Sequence, residues 1–334
     1  MRNSVSISLI VPVYNVGPYV EDCLRSVMRQ TYTGPIECIV VDDCGTDDSM
    51  EIVERLIVEY DGPISFKVLH HAENRGLSAA RNTGMDAAVG DYFFFLDSDD
   101  ELTDDCIEKL TNPLHTEWYD LVIGDLQLSD EDKKGIKLLL GLPDNAVLRE
   151  SAILSNYRIK WNMMSQNKLY RAEFLKLSHL RFLEGLVYED ELWSFQVACL
   201  ATSLYAVRAK TYKCRIRQDS LTATGNRDIK MRHIPVVVKS ISTFAKDKKR
   251  LNAHTYRIIL AFFYSVLVLC LQDKPLFVKE YRQMRNYARP SLMDMLRMSG
   301  FKIKPLIRDA HFLFPKTIAP YWLFTVLSFR RADK

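Results

Sequence analysis

Cysteine is sparse in this sequence and is not arranged for cross-linking. The seven cysteines among 334 residues form no Cys-x-x-Cys pair and no zinc spacing with histidine. A disulfide framework and a structural zinc site are therefore excluded. Scattered, reduced cysteines are typical of cytoplasmic proteins, and we predict that location.

Long hydrophobic runs and glycine-rich loops are also missing. The longest apolar run, 258–271, is too short for a membrane span. Residues 5–13 are apolar but follow a single arginine and lack a small-residue cleavage site, so they indicate a first strand rather than a signal peptide. No G-x-G-x-x-G follows this strand and no P-loop lysine occurs, which argues against dinucleotide-binding and P-loop chemistry.

The small net charge of +3 conceals two parts of opposite sign. Residues 229–334 contain 21 basic and 6 acidic residues, a net charge of +15, whereas residues 1–228 carry a net charge of −12. The acidic part has the carboxylates to hold a metal ion, and the basic part suits an anionic partner. Because no nucleic-acid recognition motif accompanies the positive charge, we predict no nucleic-acid partner.

The N-terminal part alternates short apolar segments with amphipathic ones. Strands are predicted at 6–13, 37–41, 65–69 and 91–96, with helices at 16–30, from 46–49 onward, and at 76–88. The short connections predict an α/β fold with a doubly wound, mainly parallel, Rossmann-like sheet and helices on both faces. We place this domain at 1–225 and a C-terminal helical extension at 226–334.

The segment 92–101, YFFFLDSDDE, runs from an apolar strand directly into acidic residues. Asp97, Asp99 and Asp100 repel one another unless a cation neutralises them. Oxygen ligands suit a hard divalent ion such as Mg²⁺ or Mn²⁺, which usually completes its coordination with water and substrate phosphates. A solvated acidic turn is the alternative, and Asp-x-Asp by itself favours that alternative.

Polar residues also follow the first two predicted strands. Tyr14-Asn15 follows the first strand and Asp42-Asp43 follows the second. The carboxyl ends of parallel strands meet at one edge of a sheet, where ligands bind in this class of fold. Three polar clusters at one edge favour a functional site over three unrelated turns.

Four sequence blocks together resemble the inverting glycosyltransferases of family 2, which have the GT-A fold. These blocks lie in the order expected of that family, at 7–32, 36–49, 73–102 and 180–193, and they include IECIVVDDCGTDDS and LRFLEGLVYEDELW. The resemblance covers roughly residues 5–217. It implies a nucleotide-diphosphate-sugar donor, with a UDP-sugar favoured, and Mn²⁺ or Mg²⁺ as the cofactor.

The resemblance assigns the residues after the first two strands to donor binding. Pro12, Tyr14 and Asn15 are implied to line the nucleotide pocket. Asp43, with Asp42 beside it, is implied to meet the base or the ribose. A carboxylate can accept hydrogen bonds from a uracil N–H or from ribose hydroxyls, which is compatible with that role.

The resemblance also assigns roles around the acidic motif. Asp97 is implied to hold the ribose side of the donor or a metal-bound water, with Ser98 beside it in the donor site. Asp99 is implied to be the direct metal ligand. Arg81, on the helix before this motif, either orients the donor or forms a structural ion pair with an acid.

A second group of acids lies at the predicted start of a later helix. Glu189, Asp190 and Glu191 are favoured there by the helix dipole, so a structural role alone would explain them. The resemblance makes Asp190 the general base, although the residues themselves do not separate the three. Arg215 or Arg217 could reach the diphosphate or the acceptor, and an unliganded strand-end arginine is equally compatible with the sequence.

The resemblance implies transfer of one sugar to a glycan or lipid-linked acceptor in cell-surface polysaccharide synthesis. The sequence lacks both Gln-x-x-Arg-Trp and long membrane helices, which are expected of processive synthases. One alternative is a nucleotidyltransferase that forms nucleotide-sugars, but this enzyme should carry a basic, glycine-rich loop where Pro12–Asn15 stands. The other is a non-catalytic nucleotide-sugar binding protein. The segment 126–160 matches no block of the family.

The basic extension lacks strand signals. Helices are predicted at 229–246, 254–271, 276–297 and 318–331, with breaks near Asn252, Pro275 and Gly300. The last helix combines aromatic and aliphatic residues with terminal arginines, which suits an anionic membrane interface. A helical bundle with a solvated cationic face is the alternative.

Overall fold

The computed structural model describes residues 4–128, 141–215 and 227–332. The chain divides into two compact units, Met1–Ser220 and Leu221–Lys334. We call them the N-terminal unit and the C-terminal unit. Each has its own elements and its own buried residues.

The N-terminal unit alternates strands and helices through β4, as predicted. Its strands are β1 (Ile7–Val13), β2 (Ile36–Asp42), β3 (Ser65–His70), β4 (Tyr92–Phe95), β5 (Glu101–Leu102), β6 (Leu121–Leu128), β7 (Ala146–Arg149), β8 (Lys168–Arg171) and β9 (Ser203–Cys214). Its α-helices are α1 (Gly17–Met28), α2 (Ser49–Glu59), α3 (Leu77–Ala87), α4 (Cys106–Thr111), α5 (Ser151–Asn156), α6 (Ala172–Leu177) and α7 (Glu189–Leu200), and a 3₁₀ helix follows α4 at Asn112–His115.

The described strands form one sheet in the order β3-β2-β1-β4-β8-β6-β9-β5, with β7 also paired to β9. The pairs among β1 to β4 are parallel, as expected of strands joined by helices. Strand β8 runs antiparallel to both β4 and β6, and β6 is again parallel to β9. The predicted mainly parallel α/β fold is confirmed, with antiparallel pairs added beyond β4.

Helix α3 packs unusually close to the sheet because its residues are small. A Cβ atom on Gly84 would lie 2.3 Å from Cγ2 of Ile10 on β1. Ala79 and Ala80 on the same helix are completely buried. The close contact brings Arg81, between these small residues, into the interior, where its side chain is also completely buried.

The C-terminal unit is helical in its described residues. Its helices are α8 (Arg227–Asp247), α9 (Ala253–Leu269), α10 (Lys274–Met284), α11 (Leu292–Ser299), α12 (Ile303–Asp309) and α13 (Ala319–Ala332), with a 3₁₀ helix at Ala310–Leu313. The predicted breaks are confirmed: Asn252 caps α9, Pro275 lies in the first turn of α10, and Gly300 ends α11 with φ of 57°.

One predicted helix of this unit is wrong. The single helix expected at 276–297 is divided between α10 and α11. Pro290 has no N–H to continue a helix. Ser291 then starts α11 with a capping box, in which its hydroxyl accepts from the N–H of Asp294 and the Asp294 carboxylate accepts in return. Within the described ranges, no helix combines the length and hydropathy needed to cross a bilayer.

Candidate active site

An acidic turn follows β4. The carboxylate oxygens of Asp97, Asp99 and Asp100 lie within 4.8 Å of one another. Asp100 is buried and accepts hydrogen bonds from the hydroxyl of Tyr212 and the backbone N–H of Arg215, each at 2.7 Å. Burial, together with the charges of Asp97 and Asp99, raises the pKa of Asp100 well above its ordinary value. A cation would relieve this repulsion.

The acidic turn fits a Mg²⁺ or Mn²⁺ ion. All three groups offer carboxylate oxygens, which hard divalent cations prefer. Asp97 and Asp99 are partly exposed, whereas Asp100 is buried. An ion arriving from solvent would therefore reach Asp97 and Asp99 more readily than Asp100. The family resemblance implies Asp99 as the direct metal ligand, with Asp97 at the ribose side of the donor or at a metal-bound water.

Arg81 joins the acidic turn to α7. Its Nη2 donates to Asp97 at 2.8 Å, and its Nη1 donates to Glu189 at 2.9 Å and to Asp190 at 3.1 Å. Burial by itself would lower the pKa of Arg81, but the charges of Asp97, Asp190 and Glu189 outweigh burial and raise it. The guanidinium is therefore a permanent cation between two groups of carboxylates that are far apart in sequence. Of the two roles predicted for Arg81, the ion pair is present.

Aromatic packing fixes the position of α7 relative to Arg81. The Trp193 ring on α7 stacks on the ring of Phe182, with the centroids 4.0 Å apart and the planes at 9°. The Arg81 guanidinium lies over the Phe182 ring, 5.1 Å from the ring centroid. Because Arg81 and Trp193 are both fully buried, the first turn of α7 has little freedom to move away from the acidic turn.

The three acids at the start of α7 have different surroundings. Glu191 pairs with Arg158, so it does not share the Arg81 site. Glu189 and Asp190 both contact Arg81, and their side chains are 12% and 21% exposed. Burial, followed by the neighbouring charge of Asp190, raises the pKa of Glu189 to about 7, against the opposing effect of Arg81. Glu189 and Asp190 are thus the two acids of this turn that share the Arg81 site.

Three residues at this site were not predicted from the sequence. The side-chain amide of Gln166 donates to Asp97, and the hydroxyl of Tyr212 accepts from the backbone N–H of Asp97 at 3.2 Å. Lys168 is buried and donates to Asn162 Oδ1 at 2.9 Å, to the Gln166 carbonyl at 3.2 Å and to a third oxygen, the Met164 carbonyl. No local pattern marks these residues, because β8 and β9 bring them to the site only when the sheet forms.

The buried amine of Lys168 is linked to this site through Gln166. Burial lowers the pKa of Lys168 to about 7, and the charge of Asp190 opposes that shift. Its three oxygen acceptors span the segment that leads to Gln166. Lys168 therefore holds the chain segment whose amide contacts Asp97.

The residues predicted to bind the nucleotide lie at the carboxyl ends of β1 and β2. Tyr14 is 46% exposed, and the Oδ1 atom of Asn15 accepts from the backbone N–H of Thr46 at 2.7 Å. Asp42 accepts from His70 Nδ1 at 3.0 Å and remains partly exposed. The polar clusters of the first two strands are thus brought to the same edge of the sheet.

Asp43 is buried and its carboxylate is used within the protein. One oxygen accepts from His71 Nδ1 at 2.6 Å and from the backbone N–H of Arg75 at 2.9 Å. The other accepts from the backbone N–H of Gly76 at 2.7 Å. Asp43 therefore fixes the loop that leads into α3, the helix that carries Arg81.

The remaining predicted residues are distributed around the acidic turn. Pro12 is buried in β1, and Ser98 is buried between Asp97 and Asp99. The Arg215 side chain pairs with Asp22 and Glu101, each at 3.2 Å, in addition to the backbone contact with Asp100. The predicted residue Arg217 lies outside the described residues.

A doubly wound α/β sheet with acids after β4 and a second group of acids on α7 is the arrangement of a GT-A glycosyltransferase. Residues 8–178 match the family model described as Glycosyl transferase family 2. Glycosyltransferase GlyG of Streptococcus pneumoniae serotype 4 (strain ATCC BAA-334 / TIGR4) is 30% identical over 226 residues, which are 65% of this chain and 73% of GlyG. The chain belongs to glycosyl transferase family 2 and is a glycosyltransferase, as predicted.

Two further proteins are similar over most of the chain. Poly(ribitol-phosphate) beta-N-acetylglucosaminyltransferase TarS of Staphylococcus aureus (strain MW2) is 25% identical over 320 residues, 91% of this chain and 52% of TarS. The crystal structure of S. aureus TarS 1–349 with UDP-GlcNAc has a similar fold, with a TM-score of 0.75 and 20% identity. The superposed residues are 98% of this chain and 92% of the TarS chain. A mannosyltransferase from Pyrobaculum calidifontis, in complex with GDP-Man and Mn²⁺, is also similar in structure, with a TM-score of 0.53 and 17% identity. The superposed residues are 100% of this chain and 89% of the mannosyltransferase chain. These structural likenesses concern the fold.

Proposed function

We propose that this glycosyltransferase moves one sugar from a nucleotide-diphosphate sugar to a hydroxyl of a glycan or lipid-linked acceptor, with inversion at the anomeric carbon. The observation that carries the proposal is the Arg81 guanidinium, which contacts Asp97 of the acidic turn and Asp190 of α7. One side chain thus spans a metal-type site and a candidate base. Metal-assisted inverting transfer, as proposed here, needs both within reach of one anomeric carbon.

In this proposal Asp190 is the general base. It accepts the proton of the acceptor hydroxyl while the oxygen forms a bond to the anomeric carbon and the bond to the diphosphate oxygen breaks. The nucleoside diphosphate leaves, and no bond to the enzyme forms. Arg81 keeps Asp190 oriented by donating to one carboxylate oxygen at 3.1 Å. Asp190 is more exposed than Glu189, which favours it as the group that meets the acceptor.

Glu189 is the rival base. Its pKa of about 7 lies where a general base is most effective near neutral pH. Its smaller exposure and its place beside Arg81 favour instead a role in positioning the guanidinium. The two residues share the first turn of α7, so Asp190→Asn and Glu189→Gln form a matched pair for assigning the base.

Asp99 and Asp97 are proposed to hold a Mn²⁺ or Mg²⁺ ion, with Asp97 also held by Arg81 and Gln166. The ion would offset the negative charge that develops on the departing diphosphate. The Mn²⁺ in the mannosyltransferase structure of the same fold supports this choice of cofactor.

The donor site is proposed at the carboxyl ends of β1 and β2. Tyr14 and Asn15 would line the nucleotide pocket together with Pro12. Asp42 and Asp43 would act at the base or the ribose, either by direct contact or by positioning the residues that make the contact. The exposed Tyr14 and the partly exposed Asp42 are suited to direct contact, and the buried Asp43 to positioning. UDP is favoured because TarS of the same fold was crystallised with UDP-GlcNAc and UDP.

The acceptor is proposed to belong to a cell-surface polysaccharide, and a diphosphate-contacting role is proposed for Arg215 or Arg217. The name of TarS, a poly(ribitol-phosphate) transferase similar over 91% of this chain, supports a polymeric, surface-type acceptor. Membership in a glycosyltransferase family favours sugar transfer over the synthesis of nucleotide-sugars.

The test is a donor and acceptor screen. The protein is incubated with UDP- and GDP-sugars and glycan or lipid-linked acceptors, in Mn²⁺, Mg²⁺ or EDTA. We expect metal-dependent release of nucleoside diphosphate, a product of inverted anomeric configuration by NMR, and loss of metal-dependent donor binding in Asp99→Asn. Retained configuration, or full activity in EDTA, would contradict the mechanism. Pyrophosphate release from a nucleoside triphosphate and a sugar phosphate would support the nucleotidyltransferase instead.

A further inference from the structure

The C-terminal unit exposes apolar residues on α12 and α13 and in the segments just before these helices. They include Phe301, Ile303, Ile307, Ile318 and Trp322, whose exposed fractions lie between 39% and 72%. We call these five residues the α12–α13 surface. Exposed apolar side chains are common singly, but a group of this size on neighbouring helices requires an explanation.

Four members of this surface form two pairs, and a hydrogen bond connects the pairs. Ile303 and Ile307 lie one turn apart on α12, and Ile318 and Trp322 lie one turn apart at the start of α13. The indole N–H of Trp322 donates to the backbone carbonyl of Ile307 at 3.4 Å, which joins the two helices. This contact brings the exposed apolar residues of α12 and α13 together at Ile307 and Trp322.

The charge around this surface has one sign. Residues 295–328 contain five lysines and arginines and a single acid, Asp309. Asp309 is buried and is bound by Arg308 and by the hydroxyl of Tyr264, so it contributes little negative charge to the surface. Lys302 and Lys304 are exposed on either side of Ile303. In the described residues, the apolar area is thus bordered by cations.

In the N-terminal unit, the most exposed apolar residues are scattered rather than grouped. Its most exposed large apolar residues, Val58, Val89 and Leu177, lie in different places: in α2, in the segment after α3 and in α6. The aromatic, isoleucine and lysine combination of α12 and α13 has the composition of a helix pair that lies in a membrane interface. In that setting, apolar rings enter the acyl boundary and lysines meet lipid phosphates.

We propose that the α12–α13 surface docks the protein on the surface of an anionic phospholipid bilayer. The apolar side chains supply the insertion and Lys302, Lys304 and their neighbours supply the selectivity for negative lipid. This occupant explains the apolar area and its cationic border together. A second copy that met this surface through its own α12–α13 surface would place like charges against each other and is disfavoured. The proposal concerns docking alone and does not depend on the donor or acceptor of the reaction.

The test is flotation of the full chain with vesicles of phosphatidylcholine alone, and of phosphatidylcholine with phosphatidylglycerol, in the absence of any donor. We expect binding to the anionic vesicles and weak binding to the neutral ones. Lys302→Glu/Lys304→Glu should weaken binding to the anionic vesicles by at least about tenfold. Phe301→Ser/Ile303→Ser should weaken it by at least about tenfold as well, because the inserted apolar area is reduced.

Val58→Ser/Val89→Ser in the N-terminal unit is the matched control, since these two residues are 86% and 85% exposed. It should bind vesicles like the wild type. Circular dichroism checks the fold of every variant, and the lysine pair provides the test if the apolar pair does not fold. Equal binding to neutral and anionic vesicles, binding to neither, or unchanged binding in both variants would overturn the proposal. Concentration-dependent self-association that both variants abolish, without vesicle binding, would instead assign the surface to a second copy.

Discussion

Replacing Arg81 with methionine removes the cation that contacts Asp97, Glu189 and Asp190. Methionine keeps most of the apolar length of the side chain, so the change chiefly deletes charge and hydrogen bonds. Arg81 is fully buried and makes three ion pairs of 2.8–3.1 Å. Its loss leaves three acids facing one another in a partly desolvated site.

The expected cost follows from that arrangement. Removing one partner of a buried ion pair typically costs about 3–5 kcal/mol, because a buried charge is left uncompensated. The carboxylates here keep 12–23% exposure and can also take up protons, which reduces the penalty. We therefore expect Arg81→Met to lower the free energy of unfolding by about 3 kcal/mol at pH 8.

The stability loss of Arg81→Met should depend on pH in a defined direction. Arg81 lowers the pKa of Glu189, which burial raises to about 7, so without Arg81 the folded-state pKa of Glu189 rises further and the folded variant binds this proton more tightly than its unfolded chain does. Stability is then lost as the pH rises through the folded-state pKa, and the penalty should be smaller at pH 5.5 than at pH 8. Urea unfolding in EDTA at both pH values measures this difference.

Two further variants sharpen the measurement. Arg181→Met removes an exposed pair with Asp86 and should cost no more than about 1 kcal/mol. Arg81→Lys keeps the charge but loses the planar fork that reaches both groups of acids. It should recover part of the stability and little of the transfer activity. A penalty for Arg81→Met below about 1 kcal/mol and independent of pH would refute the role assigned to this guanidinium.

Two other predictions concern buried groups near the site. Because burial lowers the pKa of Lys168 to about 7, the unfolded chain binds more protons than the folded protein above that pH, and stability should rise with pH between about 7 and 10. This rise amounts to at most about 1.4 kcal/mol per pH unit, and the unfolding free energy of Lys168→Met should lack it. Parallel curves of unfolding free energy against pH for the wild type and Lys168→Met would contradict this prediction. Asp43→Asn replaces an oxygen that accepts from the Gly76 or Arg75 backbone by an amide donor, so it should cost about 2 kcal/mol in urea unfolding. A cost comparable to that of Asp42→Asn, at the less buried neighbouring position, would contradict it.

The first four strands and their helices were predictable because their signals are local. Alternation of apolar segments with N-cap residues and glycine located each element from β1 to β4. Asn252 and Gly300 marked helix ends for equally local reasons. The split between α10 and α11 was also written locally, in Pro290 followed by the capping box of Ser291, and the prediction of one helix overlooked it.

The second half of the sheet could not be predicted in the same way. Strand β7 has four residues and pairs with β9, which lies far along the chain. Short strands of this kind are stabilised by their partners rather than by their own sequence. The segment 126–160, which contains β7, accordingly matched no block of the family.

The same distinction applies to the site. The acidic turn was predictable because its carboxylates adjoin in sequence, and its relation to α7 rested on the family resemblance. The bridging contacts of Arg81, and the donation from Gln166 to Asp97, depend on residues that only tertiary folding brings together. Even so, the small-residue pattern of α3, with Gly84 against Ile10, is the local feature that makes the burial of Arg81 possible.

The most direct measurement compares Asp190→Asn with Glu189→Gln in donor binding and in single-turnover transfer. Asparagine keeps the shape of the side chain but cannot take a proton from the acceptor. We predict that Asp190→Asn binds the donor like the wild type and transfers at least about 100-fold more slowly, while Glu189→Gln keeps substantial transfer. Near-normal turnover in Asp190→Asn would contradict the assignment of Asp190 as the base.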